Sequence, residues 1–264
     1  MTAVTIFRPT VLASIVVVAA CGASSDGTSS SLTLALSFSS IQPEMFGASG
    51  ARPNAWADYD GDGDLDLFVG FVGSSNRLYR NDQGVFADVA ADAGVDDLEE
   101  TRAAAWGDYD SDGDPDLYVG FGDVGAVNRV YRNEGDGRFV DVAAELGLDH
   151  SGETRQPTWI DYDGDRDLDL FVAFRYGPNR LFRNDGGAFT DVTEFSGVGD
   201  PRRTVGAAWF DMDGDADLDV FIANQNGDED SVFRNLGDGT FEEISTELGM
   251  SQPGRTEVQG SVGV

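Results

Sequence analysis

A motif that recurs four times along the chain is the feature that most constrains the fold. Each of the four tryptophans marks the same place in the motif, and successive tryptophans are 50, 53 and 50 residues apart: Trp56, Trp106, Trp159 and Trp209. Self-similarity at such a period is the signature of repeat architectures, in which each unit buries its apolar face against its neighbours. The chain is therefore expected to fold as a row of like units.

Each unit has the composition of several short strands. In the first unit the apolar segments LDLFVGF, RLYRN and FADV are rich in aromatic and β-branched residues, and the turn sequence NDQG separates two of them. We expect strands over about 53–59, 66–72, 76–81 and 84–89, with later units near 103–143, 156–192 and 206–244. Residues 87–93 and 143–146 are expected to form one short helical turn each.

Four short strands in about 50 residues is the spacing of a propeller blade. No helical period of adequate length appears, so the predicted fold is all-β, a β-propeller of four-stranded antiparallel blades. The predicted propeller domain spans residues 32–264, with repeats at about 50–99, 100–152, 153–202 and 203–253.

The flanks of the repeats leave the closure of the propeller open. Residues 32–39 have the pattern of an outer strand of a preceding blade, and residues 254–264 begin like another unit. However, Ser261 stands where a tryptophan is expected, and no aspartate run follows it. Three arrangements are compatible with this pattern: a closed ring of four small blades, a truncated copy, and an open arc that needs a partner.

An aspartate-rich run follows every tryptophan and fits the nine-position pattern D-x-D-x-D-G-x-x-D. Carboxylates at positions 1, 3, 5 and 9 and the backbone carbonyl of position 7 would form a cage of hard oxygen ligands, which suits Ca²⁺. The absence of His and Cys from these runs disfavours a softer metal. The predicted metal-site residues are Asp58, Asp60, Asp62, Asp64 and Asp66; Asp108, Asp110, Asp112, Asp114 and Asp116; Asp161, Asp163, Asp165, Asp167 and Asp169; and Asp211, Asp213, Asp215, Asp217 and Asp219.

Charge repulsion supports an ion in each run. The four runs hold 20 of the 36 aspartates in a chain of net charge −31, and about four Ca²⁺ would bring that charge to −23. The alternative is a hydrated acidic turn without an ion. Position 6 is glycine in the first two runs but Arg166 and Ala216 in the last two, so we predict weaker calcium binding in units three and four if this position needs a positive φ.

The repeated motifs W-x-D-Y-D-x-D-G-D-x-D-L, L-Y-R-N and G-x-F-x-D-V resemble FG-GAP/VCBS repeats, the calcium-loop propeller repeats of the integrin α-subunit head. The resemblance covers about residues 50–245. It implies a metal loop between the first two strands of each blade, formed by the aspartates named above, and extracellular recognition or adhesion more often than catalysis. Members usually have seven blades, whereas this chain supplies four and two fragments.

Composition excludes several classes of function. A strongly acidic surface repels phosphate backbones, so nucleic acid is not an expected partner. One Cys and one His exclude a disulfide framework and a Cys/His zinc site. Catalytic residues are expected to break the repeat symmetry, and the carboxylates here obey it, so we expect a non-enzymatic protein. A propeller enzyme acting on polysaccharide and a scaffold fragment without a ligand remain the alternatives.

Three arginines are candidates for binding an extracellular glycan or protein ligand. Each precedes a tryptophan by four residues, in the loop expected to enter the first strand: Arg52, Arg102 and Arg155. In related propellers such loops form the face opposite the metal loops, where ligands bind, so the resemblance implies a ligand face here, for which an anionic glycan is a suitable ligand. The tryptophans are expected in the blade core, with sugar stacking as the alternative. A further arginine recurs at one strand position, and we expect it to pair with a nearby Asp: Arg80, Arg132, Arg183 and Arg234.

The N-terminus resembles an export signal. Residues 11–20 are apolar but too short to span a bilayer, which is typical of a signal-peptide core over residues 1–21. The sequence VAAC ending at Cys21 resembles the lipobox of bacterial lipoproteins, in which the Cys is lipidated; the alternative is cleavage at a small-residue site. Residues 22–31 are predicted to be a flexible tether. In lipoproteins of two-membrane bacteria an Asp directly after the Cys retains the protein in the inner membrane, so the resemblance, with Gly22 at this place, implies the outer membrane or cell surface, reached by the lipid anchor alone.

Overall fold

The computed structural model of the protein describes residues 42–123 and 125–250, and these residues form sixteen strands and four one-turn helices. The strands make four antiparallel sheets of four, and within each sheet the strands lie in the order in which they occur in the chain. This is the predicted all-β propeller of four-stranded antiparallel blades. We number the blades 1 to 4 in chain order.

The strand bounds repeat from blade to blade. Blade 1 contains β1 to β4: Ala51–Ala57, Asp66–Phe71, Arg77–Asp82 and Val85–Asp88. Blade 2 contains β5 to β8: Thr101–Gly107, Asp116–Phe121, Arg129–Asn133 and Phe139–Asp141. Blade 3 contains β9 to β12: Thr154–Ile160, Asp169–Phe174, Arg180–Asn184 and Phe189–Asp191. Blade 4 contains β13 to β16: Thr204–Phe210, Asp219–Asn224, Ser231–Asn235 and Phe241–Glu243.

Four short helices accompany the blades: α1 (Pro43–Phe46), α2 (Ala90–Ala93), α3 (Ala143–Leu146) and α4 (Thr193–Ser196). The turn expected over residues 87–93 begins only at Ala90, and the sequence analysis did not predict α1 or α4. Helices α2 to α4 follow the last strand of their blades, and each ends at a glycine with a positive φ. Glycine suits this place because a side chain disfavours the left-handed conformation.

The prediction for the first strand of blade 1 was wrong by two residues. The strand was expected over 53–59, but β1 ends at Ala57. The reason is that Asp58 and Tyr59 belong to the aspartate loop, where the backbone N–H of Tyr59 donates to Asp66 Oδ2 at 3.1 Å. At its other end the strand begins at Ala51, which pairs with Phe71 across a register shift.

The second strand of each blade is the most buried part of the molecule. All six residues of β2, β6 and β10 are buried. A strand covered on both faces needs no alternation of apolar and polar residues, and these strands are nearly continuous runs of apolar residues.

The apolar core lies between the blades. Phe68 and Leu78 of blade 1 pack with Leu117 and Val119 of blade 2, and similar clusters join blade 2 to blade 3 and blade 3 to blade 4. On the outer face of blade 1, a separate cluster around Phe71 is covered by residues of and next to α1. The blades therefore stabilise one another through their faces.

Tryptophans connect successive blades, as their predicted core position requires. The indole of Trp106 lies parallel to the ring of Tyr59 in blade 1, with the ring centroids 6.1 Å apart, and its N–H donates to the backbone oxygen of Ala55 at 3.1 Å. Trp159 stacks in the same way on Tyr109, at 6.1 Å. Trp56 belongs to the first blade and is 36% exposed.

Four predictions concern residues that lie outside the described part of the chain: the export signal with Cys21, the tether over 22–31, the strand over 32–39 and the unit-like segment over 254–264. Within the described residues no helix is long and apolar enough to cross a bilayer.

Candidate metal centres

Each aspartate run forms the loop between the first and second strands of its blade. In blade 1 the loop begins at Asp58, directly after β1, and ends at Asp66, the first residue of β2. Because the strand order is the same in all four sheets, the four loops lie at the same end of their blades. The position of the loops is therefore the one that the family resemblance implied.

Side-chain oxygens of three aspartates converge in every loop. One oxygen from each residue lies within 4.8 Å of the other two, and positions 1 and 3 of the nine-position pattern always take part. The third member is position 5 in blade 1 and position 9 in the other blades. The groups are Asp58, Asp60 and Asp62; Asp108, Asp110 and Asp116; Asp161, Asp163 and Asp169; and Asp211, Asp213 and Asp219.

The aspartate at position 9 is fully buried and holds the loop to the sheet. Asp66 Oδ2 accepts the backbone N–H of Tyr59, and Asp66 Oδ1 accepts that of Asn81 in β3 at 2.8 Å. The three other blades have the same pair of bonds, made by Asp116, Asp169 and Asp219. This carboxylate thus joins the loop, the second strand and the third strand.

The turn itself is shaped by carboxylates at positions 1 and 5. Asp58 Oδ2 accepts the N–H of Gly63 at 2.9 Å, and Asp62 Oδ1 accepts the N–H of Asp64 at 2.8 Å. The corresponding bonds recur in the other three blades, through Asp108 and Asp112, Asp161 and Asp165, and Asp211 and Asp215. These bonds close the turn, in which the carboxylates of positions 1 and 3 converge in every loop.

The aspartate at position 7 directs its side chain elsewhere. Asp64 Oδ2 accepts the N–H of Gln83 at 2.7 Å, and Asp167 Oδ2 accepts the N–H of Gly186 at 2.7 Å, both in the turn after the third strand. Asp114 and Asp217 lie against Gly135 and Gly237 in the matching turns. The carbonyl of position 7 was the predicted ligand, and this placement of the side chain leaves that role to the backbone.

Position 6 has a positive φ in every loop. The angle is 92° at Gly63, 100° at Gly113, 82° at Arg166 and 78° at Ala216. The condition for the predicted weaker calcium binding in units three and four, a positive φ at position 6, is therefore met. Position 4 shows the same requirement, which sequence reasoning missed: Ser111 has φ 59°, where the other three loops have glycine. Only the blade 1 loop carries glycine at both places.

Seven of the loop carboxyl groups have raised pKa values and hold their protons more tightly than usual. Burial, opposed by the backbone hydrogen bonds, raises the pKa values of Asp66, Asp116 and Asp169 to about 7. Burial and then the charge of the position 5 neighbour also raise the pKa at position 3, in Asp60, Asp110, Asp163 and Asp213. These shifts measure how unfavourable the ionised clusters are without a counter-charge.

The donor set fits a hard divalent cation. Every convergent atom is a carboxylate oxygen. Among the described residues, Asp58 Oδ1 and Asp110 Oδ1 are also shielded from water and accept no hydrogen bond. A buried oxygen without a partner is costly, and a bound cation would satisfy it.

The arginines proposed as ligand contacts lie in the first strands and not in loops. Arg52, Arg102 and Arg155 are each the second residue of their strand, because the strands begin earlier than expected. They lie at the opposite end from the metal loops, about 20 Å away at 3.3 Å per residue. Arg52 makes no ion pair with any described residue, and Arg102 Nη2 pairs with Glu100 Oε1 at 2.5 Å.

Sequence reasoning missed one member of this arginine group. Arg155 Nη2 and Arg175 Nη1 both contact Glu153 Oε1, at 2.9 and 3.0 Å. Burial, followed by repulsion from Arg175 and Arg102, lowers the pKa of Arg155, although Glu153 opposes the shift. Arg175 has no counterpart in the other units, where Val72, Gly122 and Gln225 occupy its place, so the repeat pattern gave no signal for it.

The recurrent third-strand arginines make the expected ion pairs. The partner is an aspartate in two blades and a glutamate in the other two: Arg80–Asp82, Arg183–Asp185, Arg132–Glu134 and Arg234–Glu242.

Several solved structures resemble the protein. BBS1N in its complex with ARL6DN has 13% identity and a TM-score of 0.47, over 74% of this chain and 53% of that one. An Agrocybe aegerita lectin, described as recognising non-reducing terminal N-acetylglucosamine, has 23% identity and a TM-score of 0.43, over 74% and 51%. The V. cholerae biofilm matrix protein Bap1 has 16% identity and a TM-score of 0.44, over 73% and 30%.

The chain thus spans about half, or less, of the length of these structures. No curated protein matches it. The FG-GAP-like repeat family matches four times, over residues 58–119, 120–172, 161–222 and 211–258. These matches cover most of the chain and contain all four aspartate loops, and the protein therefore belongs to the FG-GAP-like repeat family.

Proposed function

We propose that the protein is a calcium-binding recognition protein, held at the cell surface by a lipid anchor, and that it is not an enzyme. The observation that carries the proposal is the convergence of three carboxylate oxygens in each of four loops, two of which contain a buried oxygen without a hydrogen bond. The carboxylates follow the repeat, whereas a catalytic group is expected to break it.

The chemistry of the loops favours Ca²⁺ over Mg²⁺. Calcium takes six to eight oxygen ligands in a flexible geometry, whereas magnesium prefers a strict octahedron and keeps several waters. Positions 1, 3, 5 and 9 with the carbonyl of position 7 supply the protein ligands. The ion would neutralise carboxylates that otherwise repel one another and so would stabilise the folded state.

Calorimetric titration with Ca²⁺ and with Mg²⁺ tests this assignment. We expect about four calcium sites and much weaker binding of magnesium. Asp60→Asn should remove one site, while Asp136→Asn, at an exposed aspartate outside the loops, should remove none. Uptake of no calcium, or equal loss of sites in both variants, would contradict the proposal.

The arginine group at the other end of the blades is the proposed ligand-binding face. Among the described residues, Arg102, Arg155 and Arg175 form ion pairs with two carboxylates, Glu100 and Glu153, so the group has more arginines than paired carboxylates in a protein of net charge −31. An anionic glycan fits such a site, because guanidinium groups bind carboxylates through paired hydrogen bonds. Arg52 extends the same face on blade 1.

A glycan array probed in calcium tests the ligand. We expect binding to acidic glycans, lost in the Arg155→Gln and Arg175→Gln variants and retained in Arg138→Gln, which removes an arginine from a hairpin turn elsewhere. Binding to neutral glycans alone, or equal loss in all three variants, would contradict the assignment of this face.

The anchor is tested by fractionation of cells that express the full chain. We expect the protein in the membrane fraction, labelled by a fatty-acid probe, and the Cys21→Ser variant to be released and unlabelled. An unlabelled wild-type protein would contradict the lipid anchor without affecting the calcium and ligand assignments.

A further inference from the structure

A short turn of blade 3 departs from the repeat beside the arginine group. Residues 175–178, in the connection between β10 and β11, have the sequence RYGP. Tyr176 in this turn is 60% exposed. The residues at its place in the other blades are Gly73, Asp123 and Asn226. Its neighbour Arg175 is also unmatched in the other units, and departures from an otherwise regular pattern are expected at functional sites.

The turn holds Tyr176 in a defined position. The backbone N–H of Phe174 donates to Asn179 Oδ1 at 2.9 Å, and this bond closes the turn from one end to the other. Gly177 has a φ of 100°, which glycine adopts without strain, and the ring of Pro178 fixes its own φ. A residue in such a restrained turn loses little backbone freedom when a ligand binds to it.

The tyrosine ring adjoins the arginine group. The guanidinium carbon of Arg175 lies 5.2 Å from the centre of the Tyr176 ring, which is a cation–π distance. Arg175 covers one side of the ring, and the large exposed fraction of Tyr176 leaves the other side open. Burial lowers the pKa of Arg155, and Tyr176 is among the groups that oppose this shift, so the phenol also lies near that guanidinium. An open aromatic surface thus lies beside two cations.

The arginines have hydrogen bonds left to make. The Nε atoms of Arg102, Arg155 and Arg175 are shielded from water and have no acceptor among the described residues. Arg102 lies in this way across Gly122, where a Cβ would be 2.7 Å from the arginine Cγ and Nε. A shielded donor without an acceptor is costly, so each guanidinium gains a bond when a ligand oxygen draws it outward. Carboxylates suit this role, because they bind guanidinium groups through paired hydrogen bonds.

A carboxylate carried by a sugar ring matches both features of the site. A uronic acid has its carboxylate on a ring carbon, so the ring stays close to the group that the arginines bind. The C–H face of the sugar can then pack on the tyrosine, which removes apolar surface from water. We propose that Tyr176 selects uronic acid residues by stacking on the sugar whose carboxylate Arg155 and Arg175 bind. This role rests on the proposed function, in which the arginine group is the ligand-binding face.

An acidic peptide is a poorer ligand for this site. Its carboxylates stand on flexible side chains, which lose conformational entropy when they are ordered. It would satisfy the arginines without placing a flat apolar surface on Tyr176. A sugar ring is rigid and presents the carboxylate and the C–H face together.

Two ligands with the same number of side-chain carboxylates separate these cases: tetragalacturonate, and tetraglutamate blocked at both ends. Their binding to the full chain is measured by calorimetry in saturating calcium. We expect tetragalacturonate to bind more tightly. Tyr176→Ala should weaken its binding about tenfold and leave tetraglutamate unchanged, because only the stacking is lost. Tyr176→Phe keeps the ring and should retain the wild-type affinity.

A matched control removes an aromatic residue elsewhere. Phe195 on α4 is 66% exposed, so Phe195→Ala should change the binding of neither ligand. Saturation-transfer NMR adds a second readout. Irradiation of the aromatic protons should transfer saturation to the ring protons of bound tetragalacturonate, and Tyr176→Ala should abolish most of this transfer at equal occupancy.

The outcomes separate the stacking role from the ligand face. Equal binding of the two ligands by the wild type, or no binding of tetragalacturonate, would overturn the selection of uronic acids. A loss in Tyr176→Phe as large as that in Tyr176→Ala would assign the effect to the hydroxyl and overturn the stacking. In each of these cases the arginine face stands if Arg155→Gln still loses the acidic glycans that bind. Wild-type affinity in Arg155→Gln would instead contradict the proposed function.

Discussion

Asn133 of blade 2 donates its side-chain amide to the backbone oxygen of Tyr59 in blade 1, at 2.8 Å. Its own backbone N–H donates to Asp116, and the N–H of Tyr59 donates to Asp66. One asparagine therefore connects the metal loops of two blades. Asn184 and Asn235 make the same link to Tyr109 and Tyr162, at 2.7 and 2.9 Å.

Loss of this link should destabilise the protein. Asn133→Ala leaves the Tyr59 carbonyl without its buried donor, which costs about 1–3 kcal/mol. Asn81 is the matched control, because its side-chain amide donates to Leu65 within its own loop and, among the described residues, to no earlier blade, so Asn81→Ala should cost less. Urea unfolding in calcium measures both values, and equal losses would show that the link between blades contributes nothing.

Without metal, stability should fall as the pH rises. Asp66, Asp116 and Asp169 have folded pKa values of about 7, above the usual value of 3.8. The folded state therefore holds these protons more tightly than the unfolded state. The stability that they contribute is complete below pH 4 and is lost as the pH rises through 7.

Melting temperatures in chelator, measured between pH 5.5 and 8, test this dependence. We expect a steady fall with rising pH in chelator. In saturating calcium the fall should be absent, because the ion binds the ionised form, and the calcium affinity should weaken below pH 7. A melting temperature that rises with pH in chelator would contradict the burial of these carboxyls.

Glycine should improve the loops that lack it at a left-handed position. Arg166→Gly and Ala216→Gly relieve φ angles of 82° and 78°, worth about 1 kcal/mol each. The same holds for Ser111→Gly at position 4. Calcium affinity of the changed loop should rise, most of all for Arg166→Gly, which also removes a cation beside the site. Gly63→Ala is the reverse control and should weaken its loop, as calorimetry of single-loop variants can show.

The tryptophans should differ in their contribution to stability. Trp106→Ala removes the stacking on Tyr59 and the hydrogen bond to Ala55, and the loss of a large core side chain costs about 3–5 kcal/mol. No blade precedes that of Trp56 in the described part of the chain, and its side chain is partly exposed, so Trp56→Ala should cost less than half as much. Denaturant unfolding of the two variants provides the comparison, and similar losses would refute the role of the indole between blades.

The repeat made the fold predictable, because four tryptophans and four aspartate runs in register specify four like units. The sequence also indicated which aspartates share a loop, since alternate positions of a tight turn can face one point. Contacts that do not follow the repeat could not be predicted from the sequence pattern. Arg175 reaches Glu153 only after the chain has folded, and no other unit has an arginine there.

Backbone conformation set a second limit on what the sequence could predict. A positive φ was considered at position 6 because glycine occurs there twice. It was not considered at Ser111, since serine is common in turns and its left-handed φ is visible only in the structure. The link through Asn133 was hidden for another reason. The Arg-Asn pairs were read as ends of strands, and a side chain that crosses to the neighbouring blade has no local pattern.

A hydrogen bond between an asparagine and a threonine recurs at each interface between described blades, in the pairs Asn76–Thr101, Asn128–Thr154 and Asn179–Thr204. It has a consequence for how such a chain can change in length. Blades 1, 2 and 3 each present the same surface to the next blade, and blades 2, 3 and 4 each present the same surface to the one before. A duplicated blade 2 would thus find its partners on both sides already in place. Whole units can be gained or lost during evolution without redesign of those that stay.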